Sequence, residues 1–235
     1  MPPRVITKTS TTLARLSAIA ILRAMPKYSL PELAYDYGAL EPHVSGKIMQ
    51  LHHDKHHAAY VAGANTATDG LAEAREKNDF AKVATLEKAL AFHTSGHVLH
   101  SLFWQNLAPK AGGEPTGTLG EQIKQDFGGF AAFKGQLTNA AMTIMGSGWA
   151  SLAWEPVAKR LVTTQIYDHQ TNITQGGVPI LVLDAWEHAF YLQYGPDKKS
   201  FFEAVWNIWN WQDVAQRFEK VRGLDLGLRG AVDGK

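Results

Sequence analysis

The sequence predicts an α+β fold: a long N-terminal helical hairpin, then an α/β domain built on a three-stranded antiparallel sheet. Three observations carry that prediction. Two early stretches repeat apolar and imidazole side chains at three- and four-residue steps, the period of a helix. A strong breaker follows them, Pro109-Lys110-Ala111-Gly112-Gly113-Glu114-Pro115-Thr116-Gly117. Beyond it, short branched runs separated by turn-like segments interrupt the helical period. A helical half followed by a mixed half belongs to the α+β class.

Taken in order, residues 1–27 stand apart. Arg4, Lys8, Arg15, Arg23 and Lys27 are basic, no acid precedes Glu32, and Ser and Thr cluster ahead of the apolar run Leu16 to Leu22. A transit peptide, a short signal peptide and an over-extended start all fit. The third is favoured, because Met25-Pro26-Lys27 makes a natural beginning. Residues 28–114 are then expected to form the helical hairpin domain, 115–224 the α/β domain and 225–235 a flexible tail. Tyr28 to Pro42 reads as an extended arm, Val44 to about Asn65 as the first long helix, and 66–80 as a polar connection with room for a short helix. Leu86 to about Leu107 is the second long helix. Helices at 119–127 and 130–143 precede three strands, Ser151 to Trp154, Arg160 to Ile166 and Val178 to Leu183. A helical turn at Ala189 to Tyr194 follows, with helices from Ser200 to Trp209 and Gln212 to Lys220 and a loose end from Gly223.

Composition narrows the chemistry. The chain has 235 residues, 45% of them hydrophobic and 19% charged, and a formal net charge of +1, so neither nucleic acid nor an anionic membrane surface is an expected partner. Zero cysteines exclude disulfides, thiol catalysis, iron–sulfur ligation and Cys-rich zinc sites. No stretch beyond the extension approaches the roughly 18 apolar residues of a membrane span. Metal ligands, if present, must be His and carboxylate.

Three motifs point to such ligands. Asp184-Ala185-Trp186-Glu187-His188 sits where the apolar run Val178 to Leu183 gives way to a helical turn. Buried carboxylates are paired, hydrogen-bonded or metal-bound, so Asp184 and His188 are candidate ligands; the bland alternative is a helix cap with a surface His after it. Leu51-His52-His53-Asp54-Lys55-His56-His57 holds four histidines in six positions. On a helix, His52, His56 and Tyr60 share one stripe and His53, His57 and Val61 the next; spacing alone leaves open which faces inward. His97-Val98-Leu99-His100 adds a pair on the second helix, beside Gly96, where a small residue permits close approach, and a hairpin can set His100 opposite His52. Three imidazoles and one carboxylate suit manganese, iron or zinc.

With these motifs in view, the chain from Tyr28 to about Leu224 resembles the iron/manganese superoxide dismutase family. Asp184 to His188 matches its D-x-W-E-H signature. Leu51-His52-His53 through Tyr60, His97 to His100, Gly146-Ser147-Gly148-Trp149 and the arm Tyr35 to His43 match its other marked segments in the same order. The resemblance implies one manganese or iron ion per subunit, manganese ahead of iron, held by His52, His100, Asp184 and His188 with solvent as fifth ligand. It implies an enzyme that converts two superoxide radicals and two protons to O2 and H2O2 by M(III)/M(II) cycling. His56 and Tyr60 correspond to a gateway pair, and Trp104, Trp149 and Trp186 to an aromatic shell. Glu187 is expected to reach the partner's His188, and Tyr191 the partner's His56, making a homodimer the minimal unit and a homotetramer compatible with it. His53, His57, His93 and His97 take no ligand role and are expected to pack or lie at the surface.

One segment departs from many manganese members, which carry Asn-Gln on the second strand. Here Tyr167-Asp168-His169-Gln170 aligns His169 with that Gln, as in a bacterial branch holding both iron and manganese enzymes; a surface-turn histidine is the alternative. Tyr60 and His169 are then expected to form a hydrogen-bonded proton route. Lys55 and Lys198 are candidates for steering the anion. A non-haem iron oxygenase with two His and one carboxylate, and a scaffold without catalysis, fit the ligand set less well. The cytoplasm is the expected location, with the mitochondrial matrix or export following if residues 1–27 are a targeting segment.

Overall fold

The helical period of the first half becomes two antiparallel rods in the computed structural model of the chain, which describes residues 26–228. The first rod comprises α1 (Gly46–Leu51), a π-helical stretch (His52–His57) and α2 (Ala58–Lys77). Ser45 starts it, its hydroxyl accepting the Ile48 N–H. The second is α3 (Val83–Asn106). The expected polar connection at 66–80 is instead mostly α2, which ends at the left-handed Asn78. Tertiary packing overrides the polar composition there. Ala64 and Ala67 are buried, and a Cβ on Gly70 would lie 2.7 Å from Leu86, so small residues let α3 approach closely. Thr66 and Thr68 turn their hydroxyls back onto the carbonyls of Ala62 and Ala64.

After the breaker, α4 (Gly117–Phe127) and α5 (Phe130–Met142) lead into β1 (Gly148–Glu155), β2 (Arg160–Tyr167) and β3 (Val178–Asp184). The sheet is antiparallel in the order β2-β1-β3, so β1 is central and buried through Trp154. Its register shifts at Leu152/Ala153, where Leu152 faces Leu181 and Ala153 faces Pro179. The outer edge of β3 is met by α3. The Asn106 amide donates to Ile180 O (3.2 Å) and Asp213 Oδ2 (2.9 Å), and its Oδ1 accepts the Val182 N–H (3.1 Å).

The chain closes with a 3-10 turn (Glu187–Ala189), α6 (Tyr191–Tyr194), α7 (Lys198–Val205) and α8 (Trp211–Val221). The expected helix to Trp209 stops at Val205. Leu107 bridges to Trp209, and Ala108 N–H donates to Ile208 O, so backbone pairing with the segment that follows α3 draws 206–209 out of helix. One apolar cluster spans both halves, with Leu99, Phe103 and Leu107 of α3 in the same core as Leu181 and Leu183 of β3 and Trp209. Each such fully buried side chain contributes about 1.5–3 kcal/mol. Among the described residues no helix is long and apolar enough to cross a membrane. From Gly223 to Leu228 the chain has no helix or strand beyond the turn that ends α8. The remaining tail and residues 1–25, with the targeting and start readings made for them, lie outside the described residues.

Candidate metal centre

β3 carries its apolar run into the core and ends on Asp184, which pairs across the sheet with Trp149 and is completely buried. The chain then turns sharply, and the Trp186 N–H donates to Asp184 Oδ1 (2.9 Å). The capping alternative does not hold, since the residue that caps the following turn is Trp186; Asp184 Oδ1 instead fixes the bend before it, and Oδ2 stays available. The 3-10 turn brings His188 back, its Nε2 3.0 Å from Asp184 Oδ2. From the hairpin, His52 Nε2 lies 3.1 Å and His100 Nε2 3.8 Å from the same oxygen. One donor atom from each of His52, His100, Asp184 and His188 falls within 4.8 Å of the others.

The donor set fits a cation. His100 Nδ1 lies 2.6 Å from the Gly96 carbonyl, which can only accept, so its proton sits there and Nε2 presents a bare lone pair. Buried His100 Nε2 and His52 Nε2 make no hydrogen bond among the described residues; their approaches to Asp184 are ion-pair distances alone. Buried nitrogens aimed at one point with no protein partner are costly unless something else binds there. Electrostatics prepares the site. Burial, reinforced by the His188 charge, lowers His52 to about 4, and burial also holds His100 well below the ordinary imidazole value. Burial alone would raise Asp184, but the charge and hydrogen bond of His188, with the His52 imidazole close beside it, hold it below the usual carboxylate range. At neutral pH His52 and His100 are therefore neutral and Asp184 is anionic, the protonation that metal ligation requires.

The π-helical stretch turns members of both stripes inward, His52 from one and His53 and His57 from the other, and leaves His56 exposed. With the i→i−5 bond from Ala58 N–H to His53 O, residues five apart come onto one face. His52 meets the donor cluster, while His57, expected only to pack or lie at the surface, is completely buried behind it. His57 Nδ1 accepts from the Trp104 indole N–H (2.9 Å), and its Nε2 lies 2.8 Å from His97 Nδ1. His53 is buried too, bonded to Asp54 and to the Pro31 carbonyl, and His93 is half-buried against Gly63.

His169 is a turn residue but not a surface one. Asp168 takes a positive φ (50°), which throws the His169 ring inward until it is 2% exposed. Trp149 Nε1–H donates to His169 Nδ1 (3.0 Å), so neutral His169 carries its proton on Nε2, a buried atom with no partner among the described residues. Burial lowers His169 to about 4, keeping it neutral. Trp186 stacks between His169 (4.5 Å, 9°) and His188 (5.3 Å, 15°). Gly96 is required by this crowding: a Cβ there would lie 2.9 Å from Tyr60 Cγ and 3.2 Å from His169 Cδ2.

Tyr60 lies edge-on to His169 (4.5 Å), but no hydrogen bond joins them among the described residues. Burial, followed by the Asp184 and Asp168 charges, raises the Tyr60 hydroxyl pKa, so it stays protonated. His56 is exposed and its ring lies 4.4 Å from that of His188. Glu187 and Tyr191 are also exposed and do not join the donor cluster. Lys55 is exposed, while the Lys198 ammonium donates to Ile144 O (3.3 Å).

Comparison with known proteins agrees with this geometry. Residues 27–108 match the family described as iron/manganese superoxide dismutases, alpha-hairpin domain, and 115–217 the corresponding C-terminal domain. A "Superoxide dismutase [Mn/Fe]" of Propionibacterium freudenreichii subsp. shermanii is 58% identical over 197 residues, covering 83% of this chain and 98% of that protein. A "Superoxide dismutase [Fe]" of Mycobacterium tuberculosis and a "Superoxide dismutase [Mn]" of Nocardia asteroides are each 51% identical over 204 residues, covering 87% of this chain and 99% of theirs.

Proposed function

Because the chain belongs to the iron/manganese superoxide dismutase family, an oxidoreductase acting through one manganese or iron ion, we propose that His52, His100, Asp184 and His188 hold that ion. The enzyme converts two superoxide radicals and two protons to O2 and H2O2. Held by these residues, a manganese or iron ion would supply the one-electron redox chemistry the reaction needs, having both a trivalent and a divalent state. The convergence of four donor atoms, two of them buried imidazole nitrogens with no hydrogen-bond partner among the described residues, is the observation that carries the assignment.

The remaining roles belong to side chains. The single anionic ligand, Asp184, favours the higher oxidation state, and its second oxygen is spent on the Trp186 N–H. His169, its tautomer set by Trp149, presents an N–H toward the site and holds solvent there by donating to it. Tyr60 stays protonated and supplies its hydroxyl at the approach, with His56 as the other gateway residue. A proton passing from Tyr60 toward His169 needs an intervening water, since their rings meet edge to face. Trp104, Trp149 and Trp186 exclude bulk water. The exposed Glu187 and Tyr191 are the residues this reading gives to a homodimer contact, Glu187 reaching the partner's His188. Residues 28–114 and 115–224 serve as the two units that meet at the ion, and the cytoplasm is the assigned location.

Elemental analysis of purified protein, paired with activity after manganese-only and iron-only reconstitution, tests the assignment. One equivalent of metal and activity that follows it are expected. A preparation free of metal yet active would overturn it.

A further inference from the structure

His57 has no part in the chemistry above, yet it is among the most enclosed polar side chains of the hairpin. It touches the donor cluster in two ways. Its ring stacks on His100, with centroids 5.4 Å apart and planes at 23°. Through its Nδ1 it holds the Trp104 indole, which stands edge-on to His52 at 4.7 Å and 78°. An indole N–H can only donate, so Nδ1 must be the bare nitrogen and the His57 proton sits on Nε2. That N–H then donates to His97 Nδ1, whose carbonyl accepts from Ser101 Oγ (2.8 Å). The chain Trp104→His57→His97 therefore has one direction, and each member fixes the next.

From this geometry we infer that His57 is a positioning residue for the metal centre: by accepting from Trp104 and stacking on His100, it fixes the orientation of two ligating imidazoles. The inference rests on the assignment of His52 and His100 as ligands. Removing the acceptor leaves a buried indole N–H unpaired, and the indole relieves that by turning. Turning withdraws the edge that packs on His52, and the ligand ring gains freedom. Groups that orient ligands from behind typically govern metal affinity by ten- to a hundredfold. The π-helical stretch gives the arrangement its reason, since an uninterrupted α-helix would not carry His52 and His57 inward together.

Two substitutions separate the acceptor from the bulk. His57→Phe keeps an aromatic ring against His100 and removes both hydrogen bonds. His57→Asn places an amide oxygen where Nδ1 was, preserving the bond from Trp104 and losing the link to His97. The measurement is the rate at which the manganese-loaded, full-length protein loses its ion to excess EDTA, read with the visible band of the Mn(III) form. His57→Phe is expected to lose metal about tenfold faster with a shifted band, and His57→Asn to stay within about twofold of the parent. Should His57→Phe not fold, as judged by circular dichroism, His57→Gln replaces it; its amide sits nearer His97 than the indole, and the same acceleration is expected. Equal rates for parent and His57→Phe (or its Gln replacement), or an Asn variant as leaky as that variant, would overturn the inference. A parent protein that takes up neither manganese nor iron would overturn the ligand assignment instead.

Discussion

Two tryptophans beside His100 each hold a different histidine, and they use the same bond for different ends. Trp149 donates to His169 Nδ1 and Trp104 to His57 Nδ1, at 3.0 and 2.9 Å. Both indoles thereby push the histidine proton onto Nε2. On the Trp149 side that N–H has no protein partner among the described residues and is free to serve what binds at the site. On the Trp104 side it is consumed by His97, inside the protein. In the roles proposed above, one pair offers a donor to the chemistry, and the other turns its donor away and braces the ligands. A donor-only neighbour is thus enough to set a tautomer, but the next contact along decides what it is for.

Five experiments break or sharpen that contrast. The largest effect comes from His100→Ala, which removes a proposed ligand on which both pairs lean; elemental analysis should find the metal lost and activity absent. His169→Ala should keep the metal and lower turnover by about 10–100-fold, as expected for a group that bonds what the ion binds. Metal loss in that variant would make His169 a ligand rather than a donor. Trp149→Phe, which frees the tautomer without removing the ring, should lose less turnover. Gly96→Ala drives a methyl against Tyr60 and His169, and urea unfolding should show a loss of about 1–3 kcal/mol.

The smallest effect is a slope. Burial, reinforced by the neighbouring His97 charge, lowers His57 to about 3, while unfolded it titrates near 6.5. Between those values the unfolded chain binds the extra proton, so the stability from neutral His57 is complete above 6.5 and is lost as pH falls toward 3. His169, lowered to about 4 by burial, acts in the same direction. Metal-free protein should therefore lose stability on acidification below 6.5, and the pH slope of its unfolding midpoint should be shallower in His57→Phe, by up to about 1.4 kcal/mol per pH unit.

How much of this was legible in the sequence differs from segment to segment. The branched run Val178 to Leu183 and the residues after it gave away both a buried strand and two members of the donor cluster, because burial and polarity conflict openly there. Gly96 was legible as a place of close approach, though not what approaches. The π-helical stretch was not: four histidines in six positions suggest two helical stripes, and nothing in their spacing shows that the backbone widens to bury His52 and His57 together. That is why His57 escaped notice. The polar residues 66–80 misled because composition cannot register that alanines and a glycine among them face another helix. Trp206 to Trp209 misled for the opposite reason, a helical pattern undone by backbone partners about a hundred residues earlier in the chain. Local pattern spoke for local structure, and it failed where a distant segment held the deciding contact.

The Asn106 side chain has a consequence outside catalysis. Its amide gives a donor to Ile180 O and an acceptor to Val182 N–H, which is what the peptide of a fourth strand would offer β3. β3 is an outer strand, and an open edge of branched apolar residues is a template for pairing with other chains. A single side chain on a helix thus stands in for a neighbouring strand at the irregular point of the ladder, and it satisfies the edge peptides that α3 covers without lengthening the sheet.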